Sequence, residues 1–196
     1  MKIFYLVRHG VYENPLNMQP GRLPVKLSAE GIKQAQRLKA YFADKNIARI
    51  YSSPVLRCKQ TSEIVSGGKI PIVFDLRLAE VFSACQGMWY SGSPDPKEFY
   101  NHRKELGGEG FEDLKARMVP CFNEINHKET GNVVICSHSD PLFSLYLAIL
   151  NRPLTDEIRE YGGFRDPDHL AKGAVRPLKI EKDVITPRVM VLQDDL

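Results

Sequence analysis

The chain opens on an unbroken apolar run, Ile3-Phe4-Tyr5-Leu6-Val7, that stops at Arg8-His9-Gly10. Such a run predicts a buried strand from Lys2 to Val7. Val11 to Lys26 carries Pro, Gly and Asn and reads as a loop. Ser28 is a good N-cap with Leu27 as its staple residue, and Ile32, Ala35, Leu38, Tyr41 and Phe42 then recur at helical spacing to about Asp44. A short strand follows at Ile47–Ser52. A helix comes next from about Val55 to Val65, with Pro54 at its permissive start and Gly67-Gly68 at its end. Pro71 to Asp75 reads as another strand. Phe111 to His127 reads as an amphipathic helix, Asn132 to Cys136 as a buried strand and Pro141 to Leu150 as a buried helix. Two late strands are expected, Val175–Glu181 and Arg188–Gln193.

Strands alternating with helices imply a three-layer α/β/α sandwich. Its sheet is mainly parallel, and the late strands supply an antiparallel edge. Between these elements, Ser83 to Gly110 is irregular and rich in Gly and Pro, with one short helix expected near Pro96 to Lys104. Tyr161 to Gly173 is a second long loop.

Composition narrows the picture further. With 196 residues, 43% hydrophobic and 26% charged, the chain is expected to form a single domain over 1–196, with a lid-like insertion at about 83–110. A net charge of +3 is too small to argue for nucleic acid. The longest apolar stretch, Pro141 to Leu150, is about half of what a membrane span needs. Cys58, Cys85, Cys121 and Cys136 form no C-x-x-C pair, so reduced, buried thiols are expected rather than zinc ligands or disulfides. Met1-Lys2 leads straight into a strand with no signal-like run, and a cytoplasmic protein is expected. A homodimer is compatible with these features but not required by them.

Chemistry gathers at strand ends. The first strand delivers Arg8, His9 and Gly10. The second leads through Ser52-Ser53-Pro54 to Arg57, in the first turn of its helix. The fourth ends in Ser137-His138-Ser139. A strand-end histidine is more often a hydrogen-bonded structural residue, and a lone arginine at a helix start is usually solvated. In a parallel sheet, however, these ends converge on one edge, where ligands bind. Two arginines, two histidines and the N–H groups of the helix after His138 would surround a phosphate dianion. One bound ligand explains all four side chains together.

These segments resemble the histidine phosphatase superfamily, which includes phosphoglycerate mutases and many phosphatases. The matching stretches run in order: Leu6-Val-Arg-His-Gly10, Pro24-Val-Lys-Leu-Ser-Ala-Glu-Gly-Ile-Lys-Gln-Ala35, Tyr51-Ser-Ser-Pro-Val-Leu-Arg-Cys-Lys-Gln-Thr61, Leu76-Arg-Leu-Ala-Glu80, Gly108-Glu-Gly-Phe-Glu-Asp-Leu-Lys-Ala-Arg117 and Val133-Val-Ile-Cys-Ser-His138. The resemblance covers roughly Lys2 to Leu150 and implies a phosphoglycerate mutase-like fold. It implies a metal-independent phosphomonoester hydrolase that needs no cofactor and acts on a phosphorylated small molecule. His9 would become phosphohistidine and Glu80 would be the general acid. Arg8, Arg57 and His138 would hold the phosphoryl group, with Asn14 and Ser139 as further substrate contacts. Without the resemblance, Glu80 reads as a surface carboxylate.

The chain also departs from the family's pattern. Val11-Tyr12 stands where an acidic residue and Ser or Thr are usual. The usual phosphate-binding Asn falls nearest Asn14, with Asn17 and Gln19 as competitors. The segment after Glu80, Phe82-Ser-Ala-Cys-Gln-Gly87, is one residue short. Asp140, before Pro141, reads as the cap of the next helix. Trp89, Tyr90, Lys97, Tyr100, His102, Arg103 and Lys104 are the lid's candidates for substrate contact. The loop carrying Arg165, His169 and Lys172 is placed to close over the site. The short lid favours hydrolysis over the alternative, a mutase. The altered loops leave a third reading, a phosphate- or phosphoprotein-binding module without turnover.

Overall fold

The structure, a computed structural model, describes residues 1–89, 91, 104–182 and 184–196. The expected short helix near 96–104, and Tyr90, Lys97, Tyr100, His102 and Arg103 with it, lie outside the described residues. The elements run β1 (Lys2–Arg8), α1 (Ala29–Phe42), β2 (Ile47–Ser52), α2 (Leu56–Ser66), β3 (Ile72–Phe74), α3 (Phe111–Lys128), β4 (Asn132–Ser137), α4 (Ser139–Ile149), α5 (Asp156–Tyr161), β5 (Val175–Glu181) and β6 (Val184–Pro187).

One sheet holds all six strands in the order β3-β2-β4-β1-β5-β6. β3, β2, β4 and β1 are mutually parallel, β5 runs antiparallel to β1, and β6 folds back on β5. Alternation along the strands divides the core into two layers. Phe4, Leu6, Tyr51, Val133 and Ile135 point to the side where Met118 and Phe122 of α3 and Leu142 and Leu145 of α4 pack. Tyr5, Val7, Ile50, Val134 and Cys136 point to the other side, against Leu38 and Phe42 of α1 and Cys58 and Val65 of α2. Central strands buried on both faces read as continuous apolar runs, and β1 and β4 do so.

Local chemistry sets the boundaries. Ser28 Oγ accepts the Gly31 N–H at 3.1 Å and starts α1. Val55 is the cap of α2, one residue after Pro54, which was expected at the helix's permissive start. The Ser53 hydroxyl takes the Val55 N–H at 3.2 Å, so the proline sits before the helix. His138, not Asp140, caps α4, and Asp140 lies in its first turn, where a carboxylate suits the helix dipole. The second late strand is Val184–Pro187 rather than 188–193. Lys182 turns with φ 48° and brings Val184 directly opposite Glu181. Beyond Pro187 the Arg188 N–H still reaches the Pro177 carbonyl at 2.9 Å, but Pro177 has no N–H to return, and the ladder ends there. Of residues 188–193, Arg188 gives that one bond and Val191 forms a single bridge to Val175. Helix α5 carries a start signal not used above: Thr155 Oγ1 accepts the Ile158 N–H at 3.3 Å.

All four cysteines are free and buried. Among the described residues, no helix is long and apolar enough to cross a membrane.

Candidate active site

The strand order sets β2, β4 and β1 side by side, so their C-terminal ends meet. The His9 N–H bonds the Ser137 carbonyl at 3.2 Å and the Ser53 N–H bonds the Cys136 carbonyl at 2.9 Å, which knits the three ends together. His9, Arg57, Glu80 and His138 converge there from four separate elements.

Beyond β1, the chain is clamped by backbone packing and side-chain acceptors. A Cβ on Gly10 would lie 2.7 Å from the Gly31 carbonyl, and one on Gly31 would lie 1.9 Å from the Val11 carbonyl. Glycine is required at both positions for space, so α1 can touch the loop directly. Thr61 Oγ1 accepts the Gly10 N–H at 3.2 Å, and Gln34 Oε1 accepts the Val11 N–H at 2.9 Å. The matching segments named Gln34 and Thr61 without assigning them this work.

The tautomer of His9 follows from its partners. Nδ1 lies 2.7 Å from the Gly10 carbonyl, which only accepts, so Nδ1 carries the proton. Nε2 lies 3.0 Å from Arg57 Nε, which only donates, so Nε2 offers its lone pair. Burial, with Arg57 and Arg8 nearby, holds the pKa of His9 well below the usual histidine value. Burial and Arg57 do the same for His138. His138 Nε2 lies 2.8 Å from Ser53 Oγ and its Nδ1 lies 3.4 Å from Glu80 Oε2. Sequence reasoning did not single out Ser53.

Glu80 faces Arg57 at 3.2 Å and accepts the Val81 N–H at 2.9 Å. Burial raises its carboxyl above the ordinary carboxylate range, against the pull of Arg57. Its main chain is held as well. Arg22 Nε donates to the Glu80 carbonyl at 2.8 Å, and Arg117 Nη2 lies 3.4 Å from it. Glu109 joins these two arginines and also accepts the Phe82 N–H at 2.7 Å. This network sets the shortened segment after Glu80, and it assigns a role to the Glu109 motif that the sequence reading left open.

Arg57 is 1% exposed. Its Nη2 donates to the Gly21 carbonyl at 2.8 Å, while its Nη1 is buried with no partner among the described residues. Arg8 Nη1 donates to the Leu170 carbonyl at 2.9 Å, and its Nε is likewise buried and unpartnered. Two buried guanidinium N–H groups without acceptors are costly unless an anion meets them. His9, Glu80 and His138 each offer a ligand atom, all within 4.8 Å of one another, a spacing that a metal would accept. A dication there would face two guanidiniums and compete with Arg57 for the His9 lone pair, so the donor set suits an anion better.

Two candidates lie apart from this cluster. Asn14 spends its side chain on Met18, donating to the carbonyl at 2.8 Å and accepting the N–H at 3.0 Å. Asn17 turns beside it with φ 47°, and the Gln19 main chain pairs with Gly87 and Met88. Ser139 Oγ bonds His169 Nε2. Among the lid candidates, Trp89 bridges to Met18 and Lys104 pairs with Asp113 at 2.9 Å.

The loop from Tyr161 to Gly173 does reach the site. The Gly173 N–H bonds the carbonyls of Arg8 and His9 at 3.0 and 3.1 Å. Lys172 Nζ lies 4.4 Å from the centre of the Tyr12 ring, and that ring stands 5.7 Å from the His9 ring.

Known proteins share this chain's sequence and fold. Phosphoserine phosphatase 1 of Hydrogenobacter thermophilus is 29% identical over 165 residues, covering 76% of this chain and 77% of that protein. A 2,3-bisphosphoglycerate-dependent phosphoglycerate mutase of Thermoplasma acidophilum is 30% identical over 158 residues, covering 72% and 73%. The fold matches the alpha-ribazole phosphatase of Shigella flexneri with a TM-score of 0.80 at 21% identity, over 97% of this chain and 96% of that one. Residues 4–161, which carry β1 through α5 and every member of the converging cluster, match the histidine phosphatase superfamily (branch 1), and the chain belongs to that superfamily.

Proposed function

We propose that the protein is a metal-independent phosphomonoester hydrolase working through a phosphohistidine on His9. The observation that carries the proposal is the fixed state of His9. It is buried and neutral, its Nδ1 proton is committed to Gly10, and its Nε2 lone pair faces Arg57. A neutral imidazole with one nitrogen pinned is a competent nucleophile at the other.

In the first step Nε2 attacks phosphorus. The ester P–O bond breaks, and the leaving alcohol takes its proton from Glu80. Arg57 must release Nε2 as the substrate enters, and its guanidinium then turns to the phosphoryl oxygens. The unpartnered N–H groups of Arg8 and Arg57 and the His138 ring balance the developing charge. In the second step Glu80, now a carboxylate, takes a proton from water. The hydroxide attacks phosphorus, the P–N bond breaks, and inorganic phosphate leaves with His9 neutral again. The raised carboxyl of Glu80 suits a group that must first give a proton and then take one.

The likeness to phosphoserine phosphatase 1 supports hydrolysis, while the likeness to the mutase keeps phosphoryl transfer between carbons as the second reading. Steady-state kinetics on a phosphomonoester panel, scored for both inorganic phosphate and isomerised ester, separates them. Stoichiometric phosphate release is expected. Isomerisation without phosphate release would favour the mutase, and tight vanadate binding without any turnover would favour a binding module.

A further inference from the structure

Lys172 has no acidic partner among the described residues, although it is only partly exposed. The main chain around it is tied to the site. The next residue, Gly173, is tied by its N–H to the carbonyls of Arg8 and His9, and the Ala174 N–H closes the turn onto Ala171 at 3.1 Å. Its ammonium rests 4.4 Å from the centre of the Tyr12 ring, and Arg57 Cζ lies 5.3 Å from the same centre. Tyr12 in turn is a neighbour of His9, with ring centroids 5.7 Å apart. Lys172 therefore stands beside the converging cluster, one aromatic ring away from His9.

The charges acting on it are of its own sign. Burial and the nearby Arg8 and Arg57 all push its pKa down. Asp140, the other buried acid of the region, acts on Arg8, Glu80 and His169. A desolvated cation held among cations gains strongly from an anion brought by the ligand. The phosphoryl dianion is already balanced by Arg8 and Arg57. Lys172 adds one positive charge beyond that pair, which matches a monoanion and not a second phosphate dianion. The flat face of Tyr12 between the two charges suits a short carbon skeleton.

We infer that Lys172 and Tyr12 form a specificity subsite for a carboxylate, and that the substrate is a small phosphomonoester whose carboxylate lies a few bonds from the phosphate. This rests on the hydrolase reading above. It deepens that reading by giving a role to the two positions, Tyr12 and the long loop before β5, at which the chain departs from its relatives.

The test compares 3-phosphoglycerate with glycerol 3-phosphate, which differ by a carboxylate in place of a hydroxymethyl group. The wild-type protein is expected to favour the acid in kcat/KM. Lys172→Met is expected to lower that constant about thirtyfold for the acid and no more than about threefold for the alcohol, the range of one charge-assisted hydrogen bond. Lys172→Arg is expected to keep most of the preference. Equal losses on both substrates, or no preference in the wild-type protein, would overturn the inference. Hydrolysis of 4-nitrophenyl phosphate is the separate control. If the wild-type protein cleaves it without preferring the acid, the subsite alone fails. If it cleaves no phosphomonoester, the hydrolase reading fails and the subsite with it.

Discussion

His9 shows how much one side chain can be constrained by its immediate partners. A carbonyl on one nitrogen and a guanidinium on the other leave a single tautomer. Glu80 is the complementary case, a buried carboxyl whose proton is held above the ordinary range. These opposite shifts set the pH profile. On the proposed mechanism, the first step needs His9 neutral and Glu80 protonated. His9 protonates only well below its ordinary value of about 6.5, so the acid limb lies far down the scale. Glu80 loses its proton as pH rises past its raised value, so activity falls from there upward. Measured kcat/KM should therefore fall as pH rises through the raised value of Glu80, well before His9 sets any limit on the acid side. Glu80→Gln should lower kcat/KM about 10²–10⁴-fold on alkyl phosphates and much less on 4-nitrophenyl phosphate, whose leaving group needs little protonation. It should also remove the upper limb, and an unchanged limb would mean that another group titrates. At this scale the sequence was informative where a strand end fixed a direction, as for Arg8, His9 and His138. It was uninformative in the loop at 11–26. There the side chain of Asn14 is spent on Met18, and no periodicity says where a loop side chain points.

The elements act as positioning devices. The close approach of Gly10, Val11 and Gly31 lets the start of α1 press on the loop that follows His9. Gly31→Ala would set a methyl group 1.9 Å from the Val11 carbonyl, which is backbone and cannot swing aside. A loss of about 2–3 kcal/mol is expected in denaturant unfolding, with a larger fall in activity than the destabilisation alone explains. Long periodic elements such as α1, α3 and β1 were legible because burial of one face repeats through them. β6 was misplaced because Val189, Met190 and Val191 look as strand-like as Val184 and Ile185. The turn at Lys182 and the missing N–H of Pro177, which leaves Arg188 with one bond only, decide between the two runs.

At the scale of the whole molecule, the sheet order β3-β2-β4-β1 brings residues separated by more than a hundred positions to one edge. No local pattern encodes that meeting. The parallel-sheet reading brought the strand ends with Arg8, His9, Arg57 and His138 together, and Glu80 was placed with them only through the resemblance. The same assembly makes the fold acid-sensitive. His9 and His138 are buried with pKa values well below their unfolded ones, and His169 is lowered to about 4. The unfolded chain therefore binds more protons, and stability is lost as pH falls below about 6.5 toward the folded values. Glu80, raised on folding, works weakly in the other direction. The midpoint of thermal unfolding should drop by about 5–10 °C between pH 7 and pH 5. Saturating vanadate, by meeting Arg8 and Arg57, should raise the midpoint at either pH.

The central claim concerns one nitrogen atom, and acid-free rapid quenching tests it directly. Wild-type protein mixed with a phosphoryl-labelled monoester should carry the label on the peptide containing His9, in an acid-labile and base-stable linkage, and His9→Ala should carry none. Turnover with no trapped label in the wild-type protein, or labelling that persists in His9→Ala, would contradict the account.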